Sequence, residues 1–361
     1  MPFSPFRLKN LTLKNRIVRS ATFEKRADID GFATDYLASL YKDLAKGGAG
    51  LIISGSALVH ISGRILPQMI CIHNDHYTEK LKKVTEAVHR YPSKIFIQLV
   101  HGGRQSHPKM LGREAPLAPS AVHDPSTNIT PQEMTIEQIW EIIESFANSA
   151  RRAMESGFDG IQLHGAHGYL ISSFLSPHTN QRDDYWGGDE VRRFHFIEEV
   201  YKAIRDETGE QYPLTIKINS SDFINGGLEI QESVRIARQL QILGFDAVEV
   251  SGGMYEAGKK TVRTAINTTE QEAYFRSASA EFKKELYIPV ILSGGIRSLS
   301  VMDDILGSSH ADLVALSRPL IREPDLPNQM MAGKQKADCI SCNGCMRFSK
   351  LDIVRCTQLD K

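Results

Sequence analysis

The chain has 361 residues, with 43 basic and 43 acidic side chains, so its formal net charge is zero. That balance gives no electrostatic case for nucleic acid or an anionic membrane surface, and the longest apolar runs have strand length, far short of the roughly 20 residues of a membrane span. Five cysteines, four of them crowded into the tail, do not suggest secreted disulfide scaffolding, and Met1-Pro2-Phe3-Ser4 lacks a signal-peptide pattern, so a soluble cytoplasmic protein is expected.

Residues 6–14 alternate polar and apolar side chains around Asn10 and read as a small hairpin. Short apolar strands then alternate with amphipathic helices almost to the end. The strands fall at 17–22, 50–53, 94–100, 158–163, 213–219, 247–250, 288–292 and 312–316. The clearest helix spans 134–156, where Ile136, Ile139, Ile143, Phe146, Ala150, Ala153 and Met154 form one apolar stripe. Thr135 with Gln138 makes a capping box there, and Gly157 suits the stop. Eight strand-then-helix units predict a (β/α)₈ TIM barrel over 1–335, with the hairpin capping its floor and a cysteine-containing tail over 336–361. A doubly wound open sheet fits eight even units less well. Residues 101–134 hold five prolines and no clean period, so they form a long excursion after the third strand, expected as a lid over the site.

Chemistry in such a barrel gathers at the carboxyl ends of the strands. In the third strand Gln98 interrupts an apolar run. Its buried amide needs partners for donor and acceptor, either a planar heterocycle with adjacent C=O and N–H groups or a side chain on a neighbouring strand. The fourth strand delivers His164, His167 and Tyr169 at its tip. Two neutral imidazoles can donate to one substrate oxygen, and a phenol can donate a proton. With His101 in reach the same histidines could instead hold zinc, but no acidic residue stands at these strand ends in a ligand position. In the fifth strand Lys217 must face an anion or a strong dipole, from a ligand or from a neighbouring carboxylate. Ser293-Gly294-Gly295 after the seventh strand and Ser317-Arg318 after the eighth suit a phosphate, with two ordinary βα turns as the alternative. Gly47-Gly48-Ala49-Gly50 ends a helix before a strand, the wrong place for a dinucleotide fingerprint. Together these groups describe a site for a flat, phosphate-bearing heterocycle.

Asn15-Arg16-Ile-Val-Arg-Ser-Ala-Thr, Gly50-Leu-Ile-Ile-Ser-Gly-Ser56, Ile97-Gln98-Leu-Val-His101-Gly-Gly-Arg104, the run from His164 through Gly188, Leu292-Ser-Gly-Gly-Ile-Arg and Ser317-Arg318-Pro319 resemble the old yellow enzyme family of FMN-dependent oxidoreductases across residues 3–324. The resemblance implies FMN at the barrel mouth and NAD(P)H as electron donor. It implies Ala21, Thr22, Ser56 and Gln98 against the flavin ring, and Lys217 at its N1/O2 edge. Ser293, Gly294, Gly295, Ser317 and Arg318 would surround the phosphate. His164 and His167 would grip the carbonyl of an activated alkene, and Tyr169 would protonate it. The expected partner is a small-molecule substrate, with a homo-oligomer left open. The chain departs from the family where Phe23 stands in place of a flavin-tuning threonine or cysteine. The tail, Cys339-Ile-Ser-Cys342-Asn-Gly-Cys345 with Cys356, is similar to the iron–sulfur segment of the 2,4-dienoyl-CoA reductase branch, but has two residues rather than three between its second and third cysteines. With no nucleotide-binding domain following, the expectation is no functional cluster, with iron–sulfur or structural zinc as alternatives. A metal-dependent barrel hydrolase and a flavin-sensing protein are the competing functions.

Overall fold

Each predicted strand is short and almost wholly apolar, a pattern that suits burial on both faces in a parallel sheet. The computed structural model, which describes residues 1–112 and 115–360, places all eight in one closed barrel. They are β1 (Ile17–Arg19), β2 (Leu51–Leu58), β3 (Lys94–Val100), β4 (Gly160–Gly165), β5 (Leu214–Asn219), β6 (Ala247–Ser251), β7 (Val290–Leu292) and β8 (Leu313–Leu316). Neighbours pair in parallel, and β8 pairs with β1, which pairs with β2, closing the ring. The open doubly wound sheet is thereby excluded. The outer helices include α1 (Asp35–Lys46), α2 (Thr78–His89), α3 (Ile136–Glu155), α4 (Glu190–Thr208), α5 (Ile230–Leu243), α6 (Arg276–Glu285) and α7 (Leu299–Gly307). The short α8 (Arg318–Arg322) and α9 (Leu326–Met331) follow β8.

Two apolar cores result. The larger lies between barrel and helices. The smaller fills the lower barrel with Val18, Leu51, Ile53, Phe96, Ala247, Ile291, Leu313 and Ala315, and the strands Phe6–Leu8 and Leu11–Leu13 close it from below with Leu8 and Leu13. The hairpin is therefore a floor plug. Each fully buried aliphatic side chain here stabilises the fold by about 1.5–3 kcal/mol.

Several boundaries move. β1 stops at Arg19, three residues short of the sequence reading, because the chain bends into the mouth there. β2 runs on to Leu58 through a bulge between Ile53 and Ser56, which brings Ser56 opposite Gln98. In α3 the capping box of Thr135 and Gln138 is present. Ile136 and Met154 of the expected stripe are exposed, while Ile142 and Ala147 are buried instead. The excursion after β3 contains a short helix (Pro108–Leu111) and a two-stranded parallel sheet (Leu117–Ala118 with Gln132–Glu133). None of its described residues lines the cavity at the mouth, which does not match the lid expected from the sequence. Its anchor is Arg104, fully buried, which pairs with Asp124 of the excursion and with Glu256 of the loop after β6.

Candidate active site at the barrel mouth

Side chains alternate along a strand, so those sharing parity with the lower core must reappear inside the barrel two residues further on. Above Phe96 comes Gln98, above Thr215 comes Lys217, and above Ala247 comes Glu249. Gln162 follows Gly160, and Ser20 follows Val18. These residues make a polar layer on the apolar floor. Gln162 and Glu249 are fully buried and Lys217 nearly so. The Lys217 ammonium lies 2.9 Å from the Glu249 carboxylate on the adjacent strand and donates to Ser20 Oγ at 3.0 Å. Ser20 in turn donates to the same Glu249 oxygen at 2.6 Å. Gln162 Nε2 donates to the other Glu249 oxygen at 2.9 Å. Gln98 Nε2 donates to Gln162 Oε1 at 2.7 Å, and Ser56 Oγ donates to Gln98 Oε1 at 2.6 Å. An ionised carboxylate only accepts, so Glu249 fixes the orientation of both amides in this chain. Of the alternatives for Gln98 and Lys217, the neighbouring strand supplies a partner for each. Gln98 keeps a second N–H and Lys217 keeps its third for the cavity above.

That cavity holds about 600 Å³, within the range of cofactor sites. It is lined by Ala21, Thr22, Ser56, Gln98, His164, His167, Tyr169, Lys217, Ser293, Gly294, Gly295, Ser317 and Arg318, the residues that the sequence offered for a cofactor and its substrate. A second cleft, of about 800 Å³, opens outside the barrel beside Arg263, Glu270, Arg276 and Asp304 and gathers none of them.

His164 and His167 sit at the tip of β4 with ring centroids 5.2 Å apart. Desolvation pushes both well below the ordinary imidazole range, with Lys217 adding to it and His167 also acting on His164; His167 falls to about 3. Both rings are thus neutral. Nδ1 of His164 accepts from the Ala166 amide at 3.3 Å, so its proton is on Nε2 and is available to a ligand. His167 is held differently from His164. Its Nε2 is bonded to Ser251 Oγ at 2.8 Å, and its backbone is left-handed at φ 63°, held by the Asn219 side chain. Desolvation, then the neighbouring Tyr255 hydroxyl, raise the Tyr169 phenol well above its usual value, so it keeps its proton. His101 does not join this group. It bonds Ser62 and the Gly103 amide outside the cavity lining, so the three-histidine zinc arrangement does not form.

The glycines after β7 are required by space. Gly294 and Gly295 have φ of 120° and 78°, and a Cβ on Gly295 would lie 2.4 Å from Ile266 Cδ1 and 2.8 Å from Tyr274 Cε1. Among the described residues the Gly294 and Gly295 amides donate to no protein acceptor, which leaves two N–H groups at the cavity wall. Arg318 reaches the same wall, braced by the Arg263 carbonyl at 2.8 Å and Asn343 Oδ1 at 2.6 Å.

Asn343 belongs to the tail, whose contribution the sequence did not suggest. Ser341, Cys345, Met346, Phe348 and Val354 all line the cavity. Lys25 donates to the Leu351 carbonyl at 2.6 Å, the Val354 amide donates to the Glu24 carbonyl, and Phe348 meets Phe23 edge-on at 5.2 Å. Burial raises the Cys339 thiol and takes Cys345 to about 11. Among the described residues no three histidine, cysteine or acidic side chains are arranged to hold a metal. Also missed were Glu249, Gln162 and Ser20, although inward parity was the signal for each. The loop residues Tyr255 to Val262, at the rim, carry no such signal.

The profile of the NADH:flavin oxidoreductase / NADH oxidase family matches residues 2–337. A NADH oxidase of Thermoanaerobacter brockii is 38% identical over 98% of this chain and 55% of its own length. A NADPH dehydrogenase of Geobacillus sp. is 36% identical over 95% of this chain and 96% of its own. The chain thus spans about half the length of some curated relatives and nearly all of others. Among solved structures, an old yellow enzyme homologue from Zymomonas mobilis superposes with a TM-score of 0.81 at 27% identity, covering 94% of this chain and 95% of that one. A 2-naphthoyl-CoA reductase in complex with 2-naphthoyl-CoA gives 0.88 at 28% identity, covering 96% and 54%.

Proposed function

Since the chain belongs to the NADH:flavin oxidoreductase / NADH oxidase family, which includes the old yellow enzymes, we propose that its barrel mouth holds FMN and reduces an activated alkene at the expense of NAD(P)H. The observation that carries the reading is convergence: one cavity gathers a buried cation, an oriented amide, two open glycine amides with an arginine, and a neutral imidazole–phenol group. These fit the ring and the phosphate of FMN separately. Ser56, Gln98 and Lys217 would face the ring, with Ala21 and Thr22 beside it. Ser293, Gly294, Gly295, Ser317 and Arg318 would hold the phosphate. Bound there, FMN supplies hydride acceptance from NAD(P)H and hydride donation to the alkene.

The protein's own work is position and field. Nε2–H of His164 donates to the substrate carbonyl oxygen and stabilises charge developing there, as an oxyanion donor does. His167, fixed by Ser251 and Asn219, shapes the other side of that pocket. Tyr169 delivers a proton to the carbon next to the carbonyl, and its raised pKa keeps it protonated beforehand. One hydride and one proton then saturate the double bond. The substrate class includes enones and enals. The likeness to a 2-naphthoyl-CoA reductase adds unsaturated acyl thioesters.

The test is an anaerobic screen of these alkenes with the two half-reactions followed separately. Acid should release FMN and no FAD. Tyr169→Phe should slow alkene reduction by roughly 10²–10⁴-fold, the usual span for a general acid, while reduction of the flavin by NAD(P)H changes little. A colourless protein that takes up no added FMN sinks the reading, and equal slowing of both half-reactions removes Tyr169 as the proton donor.

A further inference from the structure

Glu249 is the charged group in the polar layer that the reaction above does not use. It is fully buried, reaches the cavity only through other side chains, and makes three contacts: the Lys217 ammonium, Ser20 Oγ and Gln162 Nε2. A buried carboxylate so placed needs a reason. Two opposite charges taken out of water are weak evidence for stability, because desolvation offsets most of their attraction. Their electrical effect on the cavity is large. Lys217 alone would present a full positive charge to whatever lies above it. Paired at 2.9 Å, the two present a dipole whose field falls off faster.

We propose that Glu249 is a positioning residue that anchors Lys217 and cancels much of its charge, so that it sets how easily a flavin in this cavity is reduced. This rests on the FMN reading. A reduced flavin carries its negative charge on the pyrimidine edge, and so does the adduct that sulfite forms at its N5. Both are favoured by a cation there and disfavoured when a carboxylate neutralises that cation. Through Gln162, the same carboxylate also fixes which end of the Gln98 amide turns toward Ser56, so charge and amide polarity on the inner wall share one origin.

The experiment uses the FMN-loaded protein and reads sulfite affinity and the two-electron midpoint potential. Glu249→Gln should bind sulfite at least about tenfold more tightly and should raise the midpoint potential, where a tenfold change in the reduction equilibrium is about 30 mV for a two-electron couple. Lys217→Met, which leaves the carboxylate, should shift both in the opposite direction. The double variant should return near the wild type, because it removes a net charge of zero. If Glu249→Gln does not yield folded protein, the comparison of Lys217→Met with the double variant carries the same test: removing Glu249 must raise the potential. FMN-loaded Glu249→Gln with unchanged sulfite affinity and potential overturns the role of Glu249. So does a double variant no different from Lys217→Met. Wild-type protein that cannot be loaded with FMN overturns the reading of the site and the inference with it.

Discussion

At the scale of single residues, enclosure decides the chemistry. An imidazole in water titrates near neutrality, but His167 is held near 3 by desolvation with Lys217 close by, and His164 is shifted the same way. Neutral rings can donate to a substrate oxygen across the whole physiological range. The same shift has a consequence for stability. Below the unfolded pKa of about 6.5 the unfolded chain takes up a proton on each of these histidines and the folded chain does not. Their contribution is therefore complete above pH 6.5 and is lost as pH falls toward the folded values. Denaturant midpoints measured from pH 7 down to pH 4 should fall, and His167→Asn should flatten part of that slope; an unchanged slope would place the acid sensitivity elsewhere. Tyr169 is shifted in the other direction by the same cause, so one enclosure prepares two donors.

At the scale of elements, strand parity sorts floor from site. Along β1, β3 and β6 an apolar side chain lies below and a polar one above, as with Val18 and Ser20, Phe96 and Gln98, and Ala247 and Glu249, so a two-residue step along the chain converts core into polar layer. The turns after β7 and β8 complete the wall with backbone and arginine rather than with long loops. Gly295 is the sensitive position: its φ is 78°, and the atoms crowding its missing Cβ belong to Ile266 and Tyr274. Gly295→Ala should weaken FMN binding at least about tenfold, because left-handed backbone costs an L-residue of order 1–2 kcal/mol and the turn must shift. Global unfolding of the FMN-free protein should change by less than this, since β7 lies below the turn. Fluorescence titration of the FMN-free variant separates the two, and unaltered affinity would remove the turn from the phosphate site.

At the scale of the whole molecule, the tail closes what the barrel leaves open. Loops from β1, β6, β7 and β8 surround most of the cavity, and residues 341–354 fold back over the side next to Phe23. A ligand seated there touches first and last parts of the chain at once, so binding should stabilise the molecule as a unit. Stripping FMN should lower global stability by about 2.7 kcal/mol relative to protein at a free FMN concentration a hundredfold above its Kd. Calorimetry with and without FMN checks this, and a stripped protein with the same unfolding temperature would contradict it.

The barrel, its hairpin floor and cavity residues such as Gln98, His164, Tyr169 and Lys217 are legible in the sequence because each rests on a local signal, whereas Ala21, Thr22 and Ser56 came only from the family resemblance. Apolar strands repeat eight times, and a polar side chain inside an apolar strand, or histidines at its tip, stands out without knowledge of its neighbours. Local signals end where partners are distant in the chain. Gln98 and Lys217 announce that they need partners, but only strand order and register show that Gln162 and Glu249 supply them. His101 looks equivalent to His164 in the sequence, and only tertiary placement separates them, one beside Ser62 and the other at the cavity. The described residues of the excursion after β3 line none of the cavity and those of the tail do, because what encloses a mouth depends on which loops the helices direct across it. Parity along a strand is a property of the covalent chain. Which side chain meets which across the barrel is a property of its closure.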